Sequence, residues 1–188
     1  MRIIAGSLKG RTLATPGPQS QNVRPTSDKV RGAIFNILGQ WLEDLNVLDL
    51  YAGTGALAFE ALSRGAAHAV LVDVSAEGLA LCRQNAEGFK VQDRVEILPI
   101  PALRACEKLG RHKRVFELIF ADPPYEKAPV PELLTAVLDN GLLGPRGVLV
   151  IEHSSQEPSP EQAGAGPTLT RYDHREFGDT AVSFYSLS

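Results

Sequence analysis

Asp122-Pro123-Pro124-Tyr125 is the segment of this 188-residue sequence best equipped for chemistry on an amino group. Two consecutive prolines stiffen the chain and remove two backbone donors, so local carbonyls face outward as acceptors. A base amino group has two N–H donors and a lone pair conjugated into its ring. The Asp122 carboxylate and the Pro123 carbonyl can accept those hydrogens, turn the nitrogen toward an electrophile and favour its developing positive charge. The Tyr125 ring offers a splayed base a stacking face, worth about 1–3 kcal/mol. Pro and Asp also make ordinary surface turns, so this reading depends on where the fold puts the segment.

The second constellation is Val47-Leu48-Asp49-Leu50-Tyr51-Ala52-Gly53-Thr54-Gly55, a glycine-rich turn directly after a strand and directly before a helix. Open parallel sheets bind ligands at that place. Gly53 and Gly55 let backbone approach a ligand without a Cβ in the way, and the helix start presents free N–H groups. Asp73, at the end of the next strand, can accept both hydroxyls of a ribose. Gly53-Thr54-Gly55-Ala56-Leu57-Ala58 also fits G-x-G-x-x-A, which suggests a nicotinamide cofactor and an oxidoreductase. Asp49 separates the two readings. A carboxylate there is awkward beside a pyrophosphate, whereas S-adenosylmethionine (SAM) has no phosphate and carries an ammonium and a sulfonium that a negative charge favours.

The elements that must position these residues follow from periodicity. Arg2 to Leu13 reads as a short hairpin with turns at Gly6 or Gly10. A Pro/Gly/Gln/Ser-rich loop runs to about Arg24, and a helix capped by Thr26, Ser27 or Asp28 carries Val30, Ala33, Ile34, Ile37 and Leu38 on one stripe. From Asn46 onward short apolar strands alternate with helices, through the strand Gly147 to Glu152. This predicts an α/β, Rossmann-like fold: a mostly parallel sheet with helices on both faces. Leu169 to Phe177 and Ala181 to Leu187 flank Gly178-Asp179 and predict a C-terminal antiparallel hairpin. The expected organisation is a single compact domain, with residues 1–42 as a hairpin and helix extension and residues 43–188 as the core.

Bulk properties narrow the function classes. Residues 1–31 hold Arg2, Lys9, Arg11, Arg24, Lys29 and Arg31 against Asp28 alone, a local charge of +5 in a chain of −3, leaving −8 for the remainder. A basic segment on an acidic body can supply a phosphate-binding surface, or simply a solvated face. A non-catalytic RNA-binding module is therefore a third reading. Charges interrupt the first residues too early for a signal peptide, and no run is long enough to span a bilayer, so a cytoplasmic protein without a membrane partner is expected. Cys82 and Cys106 fit neither zinc spacing nor a disulfide framework, and the four histidines share no ligand spacing, so no metal is expected. Glu152 and His153 end a strand at the ligand edge of the sheet.

Together these residues resemble the class I SAM-dependent methyltransferases, which combine a glycine loop, an acidic residue and a [DNS]-P-P-[YFW] motif. The chain is similar over nearly its whole length to the bacterial family that methylates N2 of a guanine in 16S ribosomal RNA. That likeness rests on Arg2-Ile3-Ile4-Ala5-Gly6 with Lys9-Gly10-Arg11, on Arg24-Pro25-Thr26-Ser27-Asp28-Lys29-Val30-Arg31 leading to Phe35-Asn36-Ile37-Leu38, and on Glu60-Ala61-Leu62-Ser63-Arg64-Gly65-Ala66. The Asp-Pro-Pro-Tyr motif is shared with DNA adenine methyltransferases and does not choose the substrate.

The resemblance implies SAM held by Asp49, Tyr51, Gly53, Thr54, Gly55 and Asp73, with Arg24 and Thr26 from a segment covering the pocket. Asp122, Pro123, Pro124 and Tyr125 would act on the amino group. Arg2, Lys9, Arg11, Arg24, Lys29 and Arg31 would meet 16S rRNA, free or within an assembling small subunit, and a monomer is expected. Two positions depart from the family pattern. Gly32 stands where a glutamate is usual, and Pro99-Ile100-Pro101-Ala102 lacks the acidic residue expected near the adenine amino group.

Overall fold

The computed structural model describes residues 1–17, 27–39, 42–124 and 130–188. Arg24, Thr26 and Tyr125 lie outside the described residues.

Helix α1 spans Asp28–Leu38. Of the three cap candidates, Ser27 takes the role: its Oγ accepts the Val30 N–H at 3.2 Å, and Gly39 ends the helix at φ +93°. The alternation then runs β1 (Asn46–Asp49), α2 (Ala56–Ser63), β2 (His68–Val72), α3 (Ala76–Phe89), β3 (Val95–Leu98), α4 (Ala102–Arg111), β4 (Phe116–Ala121), α5 (Val130–Asp139) and β5 (Leu143–Ser154). Strands β6 (Gln162–Ala163), β7 (Leu169–Phe177) and β8 (Thr180–Leu187) complete one sheet in the order β3-β2-β1-β4-β5-β8-β7-β6. The first five strands in that order pair in parallel; β5, β8, β7 and β6 pair antiparallel. The order reverses beside β1, so the carboxyl ends of β1 and β4 flank the crevice where such sheets bind ligands.

The period of two along each strand sorts side chains into two cores. Val47, Leu71, Leu118, Phe120 and Phe184 face the hairpin and helices α1 to α3. Leu48, Val70, Ile119, Leu149 and Tyr185 face α4 and α5. Phe35, Phe59 and Phe120 are fully buried in the first core, each contributing about 1.5–3 kcal/mol by leaving water. Two details were not legible in the sequence. Strand β5 begins at Leu143, before an irregularity in its pairing with β4, and the Pro/Gly/Ala-rich stretch still supplies the two-residue β6.

The N-terminal residues form a small antiparallel loop, with Ile3 N–H donating to Arg11 O at 3.0 Å and Gly10 N–H to Ile3 O at 2.9 Å. Its docking is specific. The Glu60 carboxylate on α2 accepts the Ile4 and Ala5 N–H groups at 2.8 and 3.0 Å. Ser63 Oγ accepts the Leu8 N–H at 2.9 Å, and Ser63 O accepts the Ser7 N–H at 2.7 Å. Gly6, at φ +80°, sits so close that a Cβ there would lie 1.8 Å from Ser63 O, so only glycine fits.

Candidate functional site

The turn between β1 and α2 needs both of its glycines. Gly53 and Gly55 have φ +53° and +78°, and a Cβ on Gly55 would meet the Phe59 ring at 2.5 Å. Asp73, just beyond β2, fixes the turn from the side: its Oδ2 accepts the Gly53 N–H at 2.7 Å, and its Oδ1 accepts the Ser75 N–H at 2.7 Å. Helix α3 closes on the turn from below. Gly78 lies where a Cβ would come within 2.9 Å of Gly53 O, and the Cys82 thiol donates to Gly53 O at 3.2 Å.

Asp49 is buried at the end of β1. Burial raises its carboxyl first, and the charges of Asp122 and Asp73 add to it, taking it up to about 8 against the backbone N–H groups of Tyr51 and Ala58. Among the described residues its Oδ1 has no hydrogen-bond partner. A buried carboxyl oxygen left in that state is costly, and a cation seated beside it relieves both the desolvation and the mutual repulsion of the three carboxylates. The ammonium and sulfonium of SAM supply that charge. A nicotinamide dinucleotide does not: its pyrophosphate would face these carboxylates, and the Gly53 N–H it would seek is already given to Asp73.

Asp122 follows the last residue of β4, beside β1, where Phe120 pairs in register with Asp49. Asp122 is half-buried, Pro123 buried and Pro124 exposed. The sheet therefore brings Asp49, Gly53, Thr54, Gly55, Asp73, Asp122 and Pro123 to one edge. Val74, 69% exposed beside Asp73, adds an apolar surface for a flat heterocycle. The Pro99-Ile100-Pro101 segment adds no polar side chain, and the Ile100 N–H is bound to Leu98 O at 3.0 Å.

Two expected site residues are placed differently. The Tyr51 side chain packs with the core of α4 and α5. Burial raises its hydroxyl to about 12, with Cys106 and Glu132 adding to the shift, so its backbone N–H toward Asp49 is what it brings to the site. Arg31 is the larger correction, because it is fully buried. Its Nη2 donates to Arg2 O at 2.5 Å and to Asp28 at 3.1 Å, so it cannot form part of an exposed basic face. Arg2, Lys9, Arg11 and Lys29 are exposed. Arg11 nonetheless donates to Gly88 O at 2.6 Å and lies 5.3 Å from the Phe89 ring centre, which fixes it to the end of α3.

The sequence reading gave no role to Glu60 and Ser63, which hold the N-terminal loop, or to Asn85, which reaches the turn at Thr54 O. Asn85 was detectable: it is a polar residue on the α3 stripe of Leu79, Cys82, Ala86 and Phe89, and it is buried.

The family described as Conserved hypothetical protein 95 matches residues 1–186. Ribosomal RNA small subunit methyltransferase D of Escherichia coli is 32% identical over 160 residues, covering 85% of this chain and 78% of the relative. The chain belongs to this methyltransferase family. YlbH of Bacillus subtilis, named as a candidate rRNA methyltransferase, is 35% identical over 185 residues, 98% of each chain. The solved structure of the Escherichia coli protein yhhF superposes with a TM-score of 0.85 at 28% identity, covering 100% of this chain and 98% of that one.

Proposed function

We propose that this chain transfers the methyl group of SAM to the exocyclic N2 amino group of a guanine in small-subunit 16S rRNA. The observation that carries the reading is the placement of Asp122 and Pro123 one strand from Asp49, at the edge where the glycine turn lies. SAM, when bound, supplies an electrophilic methyl on a sulfonium. Asp49, Asp73 and the turn hold and orient it. Asp122 and the Pro123 carbonyl accept the two amino hydrogens, aim the nitrogen and favour its developing charge. In this proposal Tyr125 has the stacking role, and Arg24 and Thr26 have a part in cofactor binding.

The choice of substrate rests on relatives named for ribosomal RNA and on the exposed Arg2, Lys9, Arg11 and Lys29, which suit RNA phosphates. Residues 1–42 serve as the RNA-facing cover of the 43–188 core, and the protein works in the cytoplasm as a monomer. Mass spectrometry of 16S rRNA from cells with and without the protein tests this: one N2-methylguanosine disappears in its absence. Unchanged 16S rRNA together with a lost N6-methyladenine in DNA would overturn the substrate assignment.

A further inference from the structure

Asn85 spends its whole amide on two separate parts of the chain. Oδ1 accepts the Ala14 N–H at 2.7 Å, and Nδ2 donates to Ala14 O at 3.2 Å and to Thr54 O at 3.0 Å. Thr54 stands between the two glycines of the cofactor turn. Ala14 follows the docked hairpin and precedes the segment with Arg24 and Thr26. The side chain thus acts as a strand partner for Ala14 while gripping the turn. The same face of α3 meets Gly53 O through Gly78 and Cys82, and the N-terminal segment is tied to α3 again through Arg11 and Gly88. A shift of the turn therefore moves α3 and Ala14 together, since buried polar groups cannot cheaply lose either partner.

We propose that Asn85 is a positioning residue that couples the RNA-facing N-terminal segment to the cofactor turn. Occupation of the turn fixes the path of residues 12–17, and RNA held on that segment tightens the cofactor by the same factor. The inference rests on the proposed SAM and RNA reading.

The test uses the full chain with S-adenosylhomocysteine as the cofactor probe and a 16S rRNA fragment. Hydrogen exchange by mass spectrometry is expected to slow at residues 50–56 and at 12–17 when the probe binds. In Asn85→Ala the protection at 50–56 persists and that at 12–17 is lost. The probe's dissociation constant falls about five-fold or more on adding RNA to the natural chain, and the ratio drops to near one in the variant. Asn85→Asp keeps the acceptor for Ala14 N–H and loses both donors, so it gives an intermediate ratio and serves if Asn85→Ala does not fold. Absence of probe binding in calorimetry would overturn the cofactor reading itself. Binding that leaves residues 12–17 of the natural chain unchanged, or an unaltered ratio in the variants, would overturn the coupling alone.

Discussion

Asp49 and Asp122 end neighbouring parallel strands, and after burial itself the Asp122 charge is the largest influence raising the Asp49 carboxyl to about 8. The residue expected to bind the cofactor and the one expected to act on the substrate amine are thus electrostatically joined. A cation between them is stabilised by both, and without one the Asp122 charge helps to keep Asp49 protonated. Their meeting makes the edge of β1 and β4 a site for positively charged chemistry.

Asp49→Asn follows directly. In the folded chain without ligand Asp49 holds its proton up to about pH 8, whereas its ordinary value is 3.8. The folded state therefore binds more protons than the unfolded one across that window, and the stability from this group is lost as pH rises from about 4 to 8. The asparagine variant is expected to flatten that decline, raising the thermal midpoint at pH 8, while weakening cofactor binding by about 2–5 kcal/mol. Thermal scans against pH and calorimetry check both. Binding to the natural chain should release a proton at pH 7, seen as a dependence of the heat on buffer.

Asp122→Ala separates binding from chemistry. The cofactor turn and Asp49 stay intact, so S-adenosylhomocysteine is expected to bind within a few-fold of normal. Transfer should fall by about 100- to 1000-fold in kcat, as when one preorganised acceptor or donor of a developing charge is removed. Labelled-methyl transfer to rRNA measures it, and near-normal turnover would remove Asp122 from the mechanism.

The sheet, its helices and the terminal hairpin were legible because apolar runs and glycine stops repeat without interruption from Asn46 to Ile151. The position of Asp49, Gly53, Asp73 and Asp122 at one edge of the sheet was legible because each follows or ends a parallel strand. Arg31 was not, because one charged side chain looks like another in a basic run; only the docking of residues 1–13 onto α2, through Glu60 and Ser63, shows that it is enclosed. The sheet face taken by the Tyr51 ring was likewise hidden, because Tyr51 lies in a turn beyond the end of β1, where the strand period of two no longer applies.

Gly32 can be improved. It lies inside α1 without a positive φ, and a Cβ built on it meets nothing within 4 Å. Glycine within a helix costs about 0.5–1 kcal/mol relative to alanine, so Gly32→Ala should stabilise the chain by about that amount. Urea denaturation gives the value, and a loss of stability would show that the position needs its glycine for another reason.

Arg31 and Arg11 should respond in opposite ways, although the sequence places them in one basic segment. Arg31 is buried with Nε and Nη1 lacking partners among the described residues, and burial lowers its pKa. Its partner Asp28 is exposed, and the buried Glu60, the larger of the two charges that favour Arg31, keeps its ion pair with Arg64 at 2.8 Å, so removing the guanidinium leaves no buried charge unpaired. An apolar residue of similar length is then neutral or stabilising, and Arg31→Met is expected to hold stability within about 1 kcal/mol or raise it. RNA affinity should keep its full salt dependence. Exchanging Arg2, Lys9, Arg11 and Lys29 for Ala should instead flatten the slope of log affinity against log salt by about 0.7–0.9 for each phosphate no longer neutralised. Titrations at several salt concentrations decide it. A flattened slope for Arg31→Met would mean that the N-terminal loop opens on RNA and exposes the buried guanidinium.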